Sequence, residues 1–460
     1  MLENVSESKF ISEIVNRLRY SELSIFLGAG VSQDANLPSW KNLFKDIANE
    51  IGIDIEKTTD YYQVAQYCSN QLGDAVLRNR VSHALKQTNY KSEGIDNILK
   101  LPINSFWTTN FDCVLEENLK AKYGLQPDII YRDSDLTKTQ MNTSQTIFKI
   151  FKMNGHIDDP NSWVLTKCDL ENYNNEHKAM LTFFKRELVP NTFLFLGYSF
   201  TDSLVLSALR EIKNCLGNST FFHYTILKKD TKRHDFEHFI RDLECSYGIK
   251  TLVVNEYHEI NEIINTISDH LQKKQIYISG SFREINDNEI QFAAQLTENI
   301  TKEILRSNYK ICSGIGRRLG DFVTGSACRW LVENNRIVSK NLIMRPHPFD
   351  RHKNGPNDET KQYREYIMHD SGVAIFMFGQ DSRNPTGSDG VRQEFNIAKA
   401  KEMKIIPLGV TGYEAKKIWD DVKENITEYG YLEKYIDKLN EEQNPEKLAN
   451  VVLSIINELQ

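Results

Sequence analysis

The chain contains no C-x-x-C pair, and its seven cysteines (Cys68, Cys113, Cys168, Cys215, Cys245, Cys312 and Cys328) are scattered and odd in number. That pattern excludes a zinc ribbon or disulfide scaffold and predicts reduced thiols in a cytosol, with no bound metal. No apolar run approaches the roughly 18–20 residues a membrane helix needs, so a membrane partner is not expected. Blocks of Lys or Arg are missing too. With 56 basic against 63 acidic residues the net charge is −7, and nucleic acid is not an expected partner. The opening MLENVSESKF lacks a basic start followed by an apolar stretch, so it is not expected to act as a secretory signal. Low-complexity linkers are absent, so neighbouring domains are expected to pack together. What is present is an average globular composition, 40% hydrophobic and 26% charged, over 460 residues. That length suits two or three domains.

Apolar runs alternate with amphipathic stretches, which predicts α/β units. In the first half the buried-strand candidates are LSIFLGAG, NSFWTTNFD, TIFKIFKMNG, NTFLFLGYSF, FFHYTILKK and KTLVVNEY. A second set comprises QIYISGSF, YKICSGIG, KNLIMRPHP, GVAIFMFGQ and KIIPLGV, with helices such as NEIQFAAQLTENITKEIL between them. The helix predicted over 261–274 separates the sets. Residues 1–272 and 273–460 are thus expected to form two Rossmann-like, doubly wound α/β domains with mostly parallel sheets. The polar stretch 350–362 reads as a surface loop.

Four loops in the first half carry polar groups at strand ends, where open parallel sheets bind ligands. SIFLGAGVSQ runs a strand into a glycine-rich turn that lets backbone approach a phosphate at a helix N-terminus. A tight strand–helix turn uses the same glycines. WTTNFDCVLEE ends a strand at Asn110 and Asp112, residues that also serve as helix caps. KMNGHIDDP and FLGYSFTDSL follow, the latter with Gly197, Ser199 and Asp202 on its loop.

The order G-A-G-x-S, T-x-N-x-D, G-H and F-x-G-x-S resembles the sirtuin-like NAD-consuming domains. The resemblance implies that NAD is the substrate. It implies that Gly28, Ala29, Gly30 and Ser32 contact NAD, with Gly197 and Ser199 beside them. It further implies that Asn110 orients the attacking water and that Asp112 shapes the nicotinamide pocket. Protein-deacylating sirtuins carry two C-x-x-C pairs and an Asp-Phe-Arg. Here the cysteine pairs are missing and LPSWKNL stands in place of the Asp-Phe-Arg, which points to cleavage of NAD by water. In such hydrolases a histidine directly precedes the glycine as general base. At that position this chain has Asn154, and its histidine, His156, follows Gly155. Asparagine cannot take a proton near neutral pH. Either Asn154 is an inactivating replacement, natural or engineered, or His156 has taken over. The first is the working expectation.

In the second half, Ser279, Gly280 and Ser281 end one strand, Gly314 and Gly316 follow another, and Arg345, Arg364, Gly390 and Glu394 lie near later strand or helix ends. Arginines suit phosphate, and a glutamate can accept from ribose or adenine. This pattern resembles the SLOG superfamily, whose hydrolase members carry P-G-G-x-G-T-x-x-E. The matching GSDGVRQEF keeps Glu394 without the double glycine, which implies binding without turnover. A sirtuin-like hydrolase fused to a SLOG domain resembles the effectors of Thoeris anti-phage defence. The resemblance implies a cytoplasmic homo-oligomer, tetramer or filament, activated by a cyclic ADP-ribose isomer. The resemblance further implies that a TIR-domain partner protein makes that signal and that the nine second-half residues just named contact it. The helix near 261–274 is the expected coupling element.

Overall fold

The computed structural model describes residues 5–459 except 59, 87–89, 140–147, 218–221, 283–285, 317, 347–357 and 381–385. The chain folds as two units, Met1–Ser268 and Asp269–Gln460. The division falls inside the helix His258–Lys273. That helix begins ahead of the expected 261 because Glu259 accepts from the backbone N–H groups of Asn255 and Glu256, at 3.2 and 2.7 Å.

In the first unit the strands are β1 (Leu23–Leu27), β2 (Ser105–Thr108), β3 (Asp128–Ile130), β4 (Lys149–Lys152), β5 (Thr192–Leu196), β6 (His223–Lys228) and β7 (Ile249–Val254). They form one sheet in the order β3-β4-β2-β1-β5-β6-β7, and every pairing is parallel. Each residue of β1 and β5 is buried, as expected where helices cover both faces of a parallel sheet. Aromatic residues fill the core. Trp107 stacks on Phe151 with ring centroids 4.3 Å apart, and Phe26 packs on Phe184 and Phe195.

The second unit contains β8 (Gln275–Ser281), β9 (Lys310–Ser313), β10 (Leu342–Met344), β11 (Val373–Phe378) and β12 (Lys404–Pro407), again all parallel, in the order β10-β9-β8-β11-β12. The helix Asp287–Arg306 opens with a capping box, Asn286 with Glu289, and presents Leu296, Ile300 and Ile304 to the core. Both sheets are doubly wound α/β arrangements. One expectation needs correction. Of the stretch 350–362, residues 350–357 lie outside the described residues, but 358–362 belong to the helix Asp358–Ile367 and not to a loop. All seven cysteines are free. Among the described residues, no helix is long and apolar enough to cross a membrane.

Candidate functional site

The carboxyl ends of β4, β2, β1 and β5 are neighbours, so the four polar loops of the first unit open on one edge. After β1, a Cβ on Gly28 would stand 2.4 Å from Gly197 O, and one on Gly30 would stand 2.8 Å from Gly197 Cα. Only glycine permits that approach. The N–H groups of Gly28 and Gly30 donate to Leu196 O and Gly197 O at 2.9 Å. Two of the predicted phosphate donors therefore tie this loop to the one after β5. The helix that follows, Ala29–Ala35, is a 3₁₀ helix, with fewer aligned peptides than an α-helix to attract an anion. Ser199 is exposed and its hydroxyl lies 2.9 Å from that of Thr201.

Asn110 is 9% exposed. Its Nδ2 donates to Gly28 O and to Ser32 Oγ, each at 3.1 Å, and its backbone N–H donates to Thr108 Oγ1 at 2.9 Å. The amide is thereby fixed against the β1 loop. Asp112 accepts the N–H of Val114 through Oδ1 at 3.0 Å and so starts the helix Val114–Tyr123. Lys152, at the end of β4, is buried beneath this loop. Its Nζ lies 2.6 Å from Glu116 Oε1 and donates to the carbonyls of Phe111, at 3.3 Å, and Asp112. Burial pulls the Lys152 pKa down, the carboxylates of Glu116 and Asp112 pull it up, and the net direction is up. Burial raises Glu116 against the pull of Lys152. An internal cation thus holds the loop that carries Asn110.

Asn154 and His156 part company. Asn154 is 1% exposed, and its Nδ2 donates to Tyr62 Oη at 3.0 Å. The Tyr62 hydroxyl donates in turn to Asp202 Oδ2 at 2.9 Å. Asp202 also caps the helix Ser203–Leu216, and burial raises its pKa. Asn154 Oδ1 is buried with no hydrogen-bond partner, an acceptor left for an incoming hydroxyl or water. Gly155 has φ +101°, and a Cβ there would meet Ser162 O at 2.4 Å. The turn it makes carries His156 onto the helix Val114–Tyr123. His156 Nε2 lies 3.8 Å from Cys113 Sγ and 3.7 Å from Glu116 Oε1, while Nδ1 accepts the N–H of Asp158 at 3.2 Å. Burial lowers the His156 pKa to about 4 and pushes Cys113 up to about 12. Among the described residues, Cys113, Glu116 and His156 also have the chemistry to hold a metal ion.

In the second unit the structure brings Ser279, Arg364, Gly390 and Glu394 together. Ser279 Oγ donates to Glu394 Oε2 at 2.6 Å. Arg364 Nε stands 3.7 Å from Glu394 Oε1, and its Nη1 donates to Gln393 Oε1 at 2.7 Å. A Cβ on Gly390 would touch Arg364 Nη2 at 3.0 Å. Gly280, Gly314 and Gly316 allow close packing: an added Cβ would meet Met377 O, the Tyr277 hydroxyl and Gly280 O, respectively. Ser281 Oγ donates to Gln380 O. Arg345 is directed elsewhere. Nη1 donates to Tyr366 O and Ile367 O, at the end of the helix Asp358–Ile367, and Nη2 pairs with Asp370 at 2.8 Å.

Residues 104–251 match the SIR2-like domain family, and residues 259–459 match the Sir2- and TIR-associating SLOG family. A relative from Bacillus cereus (strain MSX-D12), named NAD(+) hydrolase ThsA, is 31% identical over 471 residues, covering 97% of this chain and 97% of its own. The chain belongs to the ThsA family of NAD(+) hydrolases. Other relatives of that name come from Cytobacillus dafuensis, 31% identical with 91% and 89% covered, and Enterococcus faecium, 30% identical with 95% and 96% covered. As a member of the ThsA family the chain is an NAD glycohydrolase. The reading of its sequence missed Trp40, Tyr62, Lys152 and Glu116. Trp40 packs on Tyr62 and Phe111, with centroids 5.5 and 5.9 Å away. Lys152 left a signal, a charge on the inward face at the end of the strand run FKIFK, two buried residues after the half-buried Lys149. Tyr62 left none, because its partner Asp202 lies 140 residues away.

Proposed function

We propose that this NAD hydrolase is an anti-phage effector whose second unit binds a cyclic ADP-ribose isomer made by a TIR-domain partner. The same reading makes it a cytoplasmic homo-oligomer, tetramer or filament. Binding of the signal releases NAD cleavage in the first unit and depletes the infected cell of NAD. The observation that carries the reading is the placement of Asn110, fixed by Gly28 and Ser32 at the edge where Asn154 also lies.

In the proposed reaction the bond between nicotinamide and ribose C1′ breaks, and water adds to C1′. Asn110 orients that water, and the reading assigns no step to a metal. The water must lose a proton, and Asn154 cannot take it. His156 does not replace the missing base in this reading. Its ring rests on Cys113 and Glu116 rather than on the Asn154–Tyr62–Asp202 chain. Turnover by this chain is therefore expected to be lower, by roughly 10²–10⁴-fold, than with histidine at 154.

The test is NAD hydrolysis by the chain and by Asn154→His, each with and without a cyclic ADP-ribose isomer. Signal-dependent turnover in the histidine variant, far above that of the chain, supports both parts of the reading. Equal turnover in the two would return the base role to His156 or to water held by Asn110 alone.

A further inference from the structure

We propose that Cys113, Glu116 and His156 form a binding site for a zinc-class divalent cation immediately behind the NAD-cleaving loops. Three observations support it. First, the donor set is a thiol, a carboxylate and an imidazole whose ligand atoms all lie within 4.8 Å of one another. His156 Nε2 lies 3.8 Å from Cys113 Sγ and 3.7 Å from Glu116 Oε1. Tetrahedral zinc, with ligands about 2.0–2.3 Å away, spaces neighbouring donors by roughly 3.2–3.7 Å. The two pairs that share His156 Nε2 need to close by only a few tenths of an ångström, and Cys113 and Glu116 lie within 4.8 Å of each other. Second, Glu116 is 5% exposed, and its Oε2 has no hydrogen-bond partner, although Lys152 pairs with Oε1. A buried carboxylate oxygen without a donor is an acceptor that a cation satisfies. Third, a supporting carboxylate is in place. Asp158 Oδ2 stands 3.8 Å from His156 Nδ1. Binding of a metal at Nε2 moves the imidazole proton to Nδ1, which gives up the hydrogen bond it accepts from the Asp158 N–H and turns to the Asp158 carboxylate instead.

The ligand types select the ion. Thiolate and imidazole favour zinc and its neighbours over magnesium or calcium. Binding expels the Cys113 thiol proton to solvent, so thiolate and carboxylate together neutralise the divalent charge. The remaining charge of Lys152 faces the Asp112 carboxylate and the carbonyls of Phe111 and Asp112. Three protein ligands leave a fourth position for water. Such an ion would staple the loop bearing Asn154 to the helix that follows Asn110, and so fix two parts of the NAD site relative to each other. The proposal does not depend on turnover or on the identity of the signal.

The test uses the full chain, stripped with chelator and titrated with zinc chloride and, separately, cobalt chloride. The expected result is one zinc per chain by calorimetry, a higher melting temperature with zinc, and a thiolate-to-cobalt charge-transfer band. Cys113→Ser and Glu116→Gln should each weaken zinc binding by at least about tenfold, and Cys113→Ser should remove the cobalt band. Cys215→Ser, which changes an exposed cysteine, should alter none of these. Absence of a cobalt band in the unsubstituted chain would overturn the site. So would zinc binding of equal strength in Cys113→Ser, because the metal would then rest on other surface groups. If Glu116→Gln does not fold, Cys113→Ser alone decides.

Discussion

Glu116 in the first unit, buried, and Glu394 in the second, part-buried, are carboxylates on a helix that follows a strand, and desolvation raises the pKa of both. They differ in what answers them. Glu116 faces a full cation, Lys152 Nζ, at 2.6 Å. Glu394 takes a neutral hydroxyl, Ser279 Oγ, at 2.6 Å, while the Arg364 guanidinium stands off at 3.7 Å with its Nε lacking a hydrogen-bond partner. The first network spends its cation on a loop, although Glu116 Oε2 remains an unpartnered acceptor. The second keeps donor capacity in reserve, which fits the proposed role of this unit in binding an anionic signal. Similar topology therefore serves opposite ends: a charge used up in holding the backbone, and a charge kept for something else.

The largest expected effect comes from breaking the first network. Lys152→Met leaves Glu116 buried without its cation and removes two donors to the Phe111 and Asp112 carbonyls. A loss of about 3–5 kcal/mol is expected. Arg364→Met should cost only about 1–2 kcal/mol, because its contact with Glu394 is longer and the pair is less deeply buried. Urea unfolding of the full chain, followed by tryptophan fluorescence, measures both. The double change Lys152→Met with Glu116→Leu should regain most of the loss, since two apolar groups can replace a buried pair. Equal costs for Lys152→Met and Arg364→Met would erase the distinction between the two carboxylates.

The same contrast explains what the sequence made legible. Long buried strands such as TFLFL and VAIFMF announce themselves as apolar runs. The edge strand β3, Asp128–Ile130, does not: three residues are too few to show a period. Glycine–Ala–glycine was legible as a motif, but its reason was not. Gly28 and Gly30 are there for the backbone of Gly197 as much as for any phosphate, and that contact joins residues about 170 positions apart. Asn110 could be picked out because polar groups at a strand end are conspicuous. Tyr62 and Glu116 could not, because a tyrosine or a glutamate within a helix looks like ordinary surface until its partner is known. The choice between Asn154 and His156 depends on the direction of two side chains across one turn, which spacing alone does not give.

A second prediction concerns pH and again separates the units. His223, at the start of β6, is 4% exposed; its Nδ1 accepts the N–H of Phe193 at 3.1 Å, and burial lowers its pKa to about 3. The unfolded chain binds a proton at this residue below its ordinary value of 6.5, whereas the folded chain does not until about pH 3. Stability from this group is therefore complete above pH 6.5 and falls as pH drops from 6.5 towards 3. At most about 5 kcal/mol is at stake. His223→Asn keeps an acceptor for Phe193 but cannot titrate, so the acid slope of the first unit should flatten. Melting temperatures of the chain and the variant at pH 7, 5.5 and 4.5 measure this. An unchanged slope would place the acid sensitivity on another group.

The smallest effect compares one change at two glycines. Gly155→Ala forces an alanine to φ +101° with its Cβ 2.4 Å from the Ser162 carbonyl. Backbone cannot yield there, so about 1–3 kcal/mol should be lost. At Gly390, within the helix Asp389–Ala400, φ is not positive, and the Cβ would press only on the flexible end of Arg364, at 3.0 Å, with Ser388 Oγ at an ordinary 3.7 Å. Moving that end costs little, and alanine is the better helix former by up to about 1 kcal/mol. Gly390→Ala should thus leave stability unchanged or slightly raised. If the second unit needs Arg364 where it now stands to receive its ligand, the same variant should respond more weakly to a cyclic ADP-ribose isomer. Thermal melting reads the first effect and signal-stimulated NAD loss in the Asn154→His background reads the second. A stable Gly390→Ala protein with an undiminished response would mean that Arg364 is not held in reserve, and the contrast with Lys152 would fail at its weaker end.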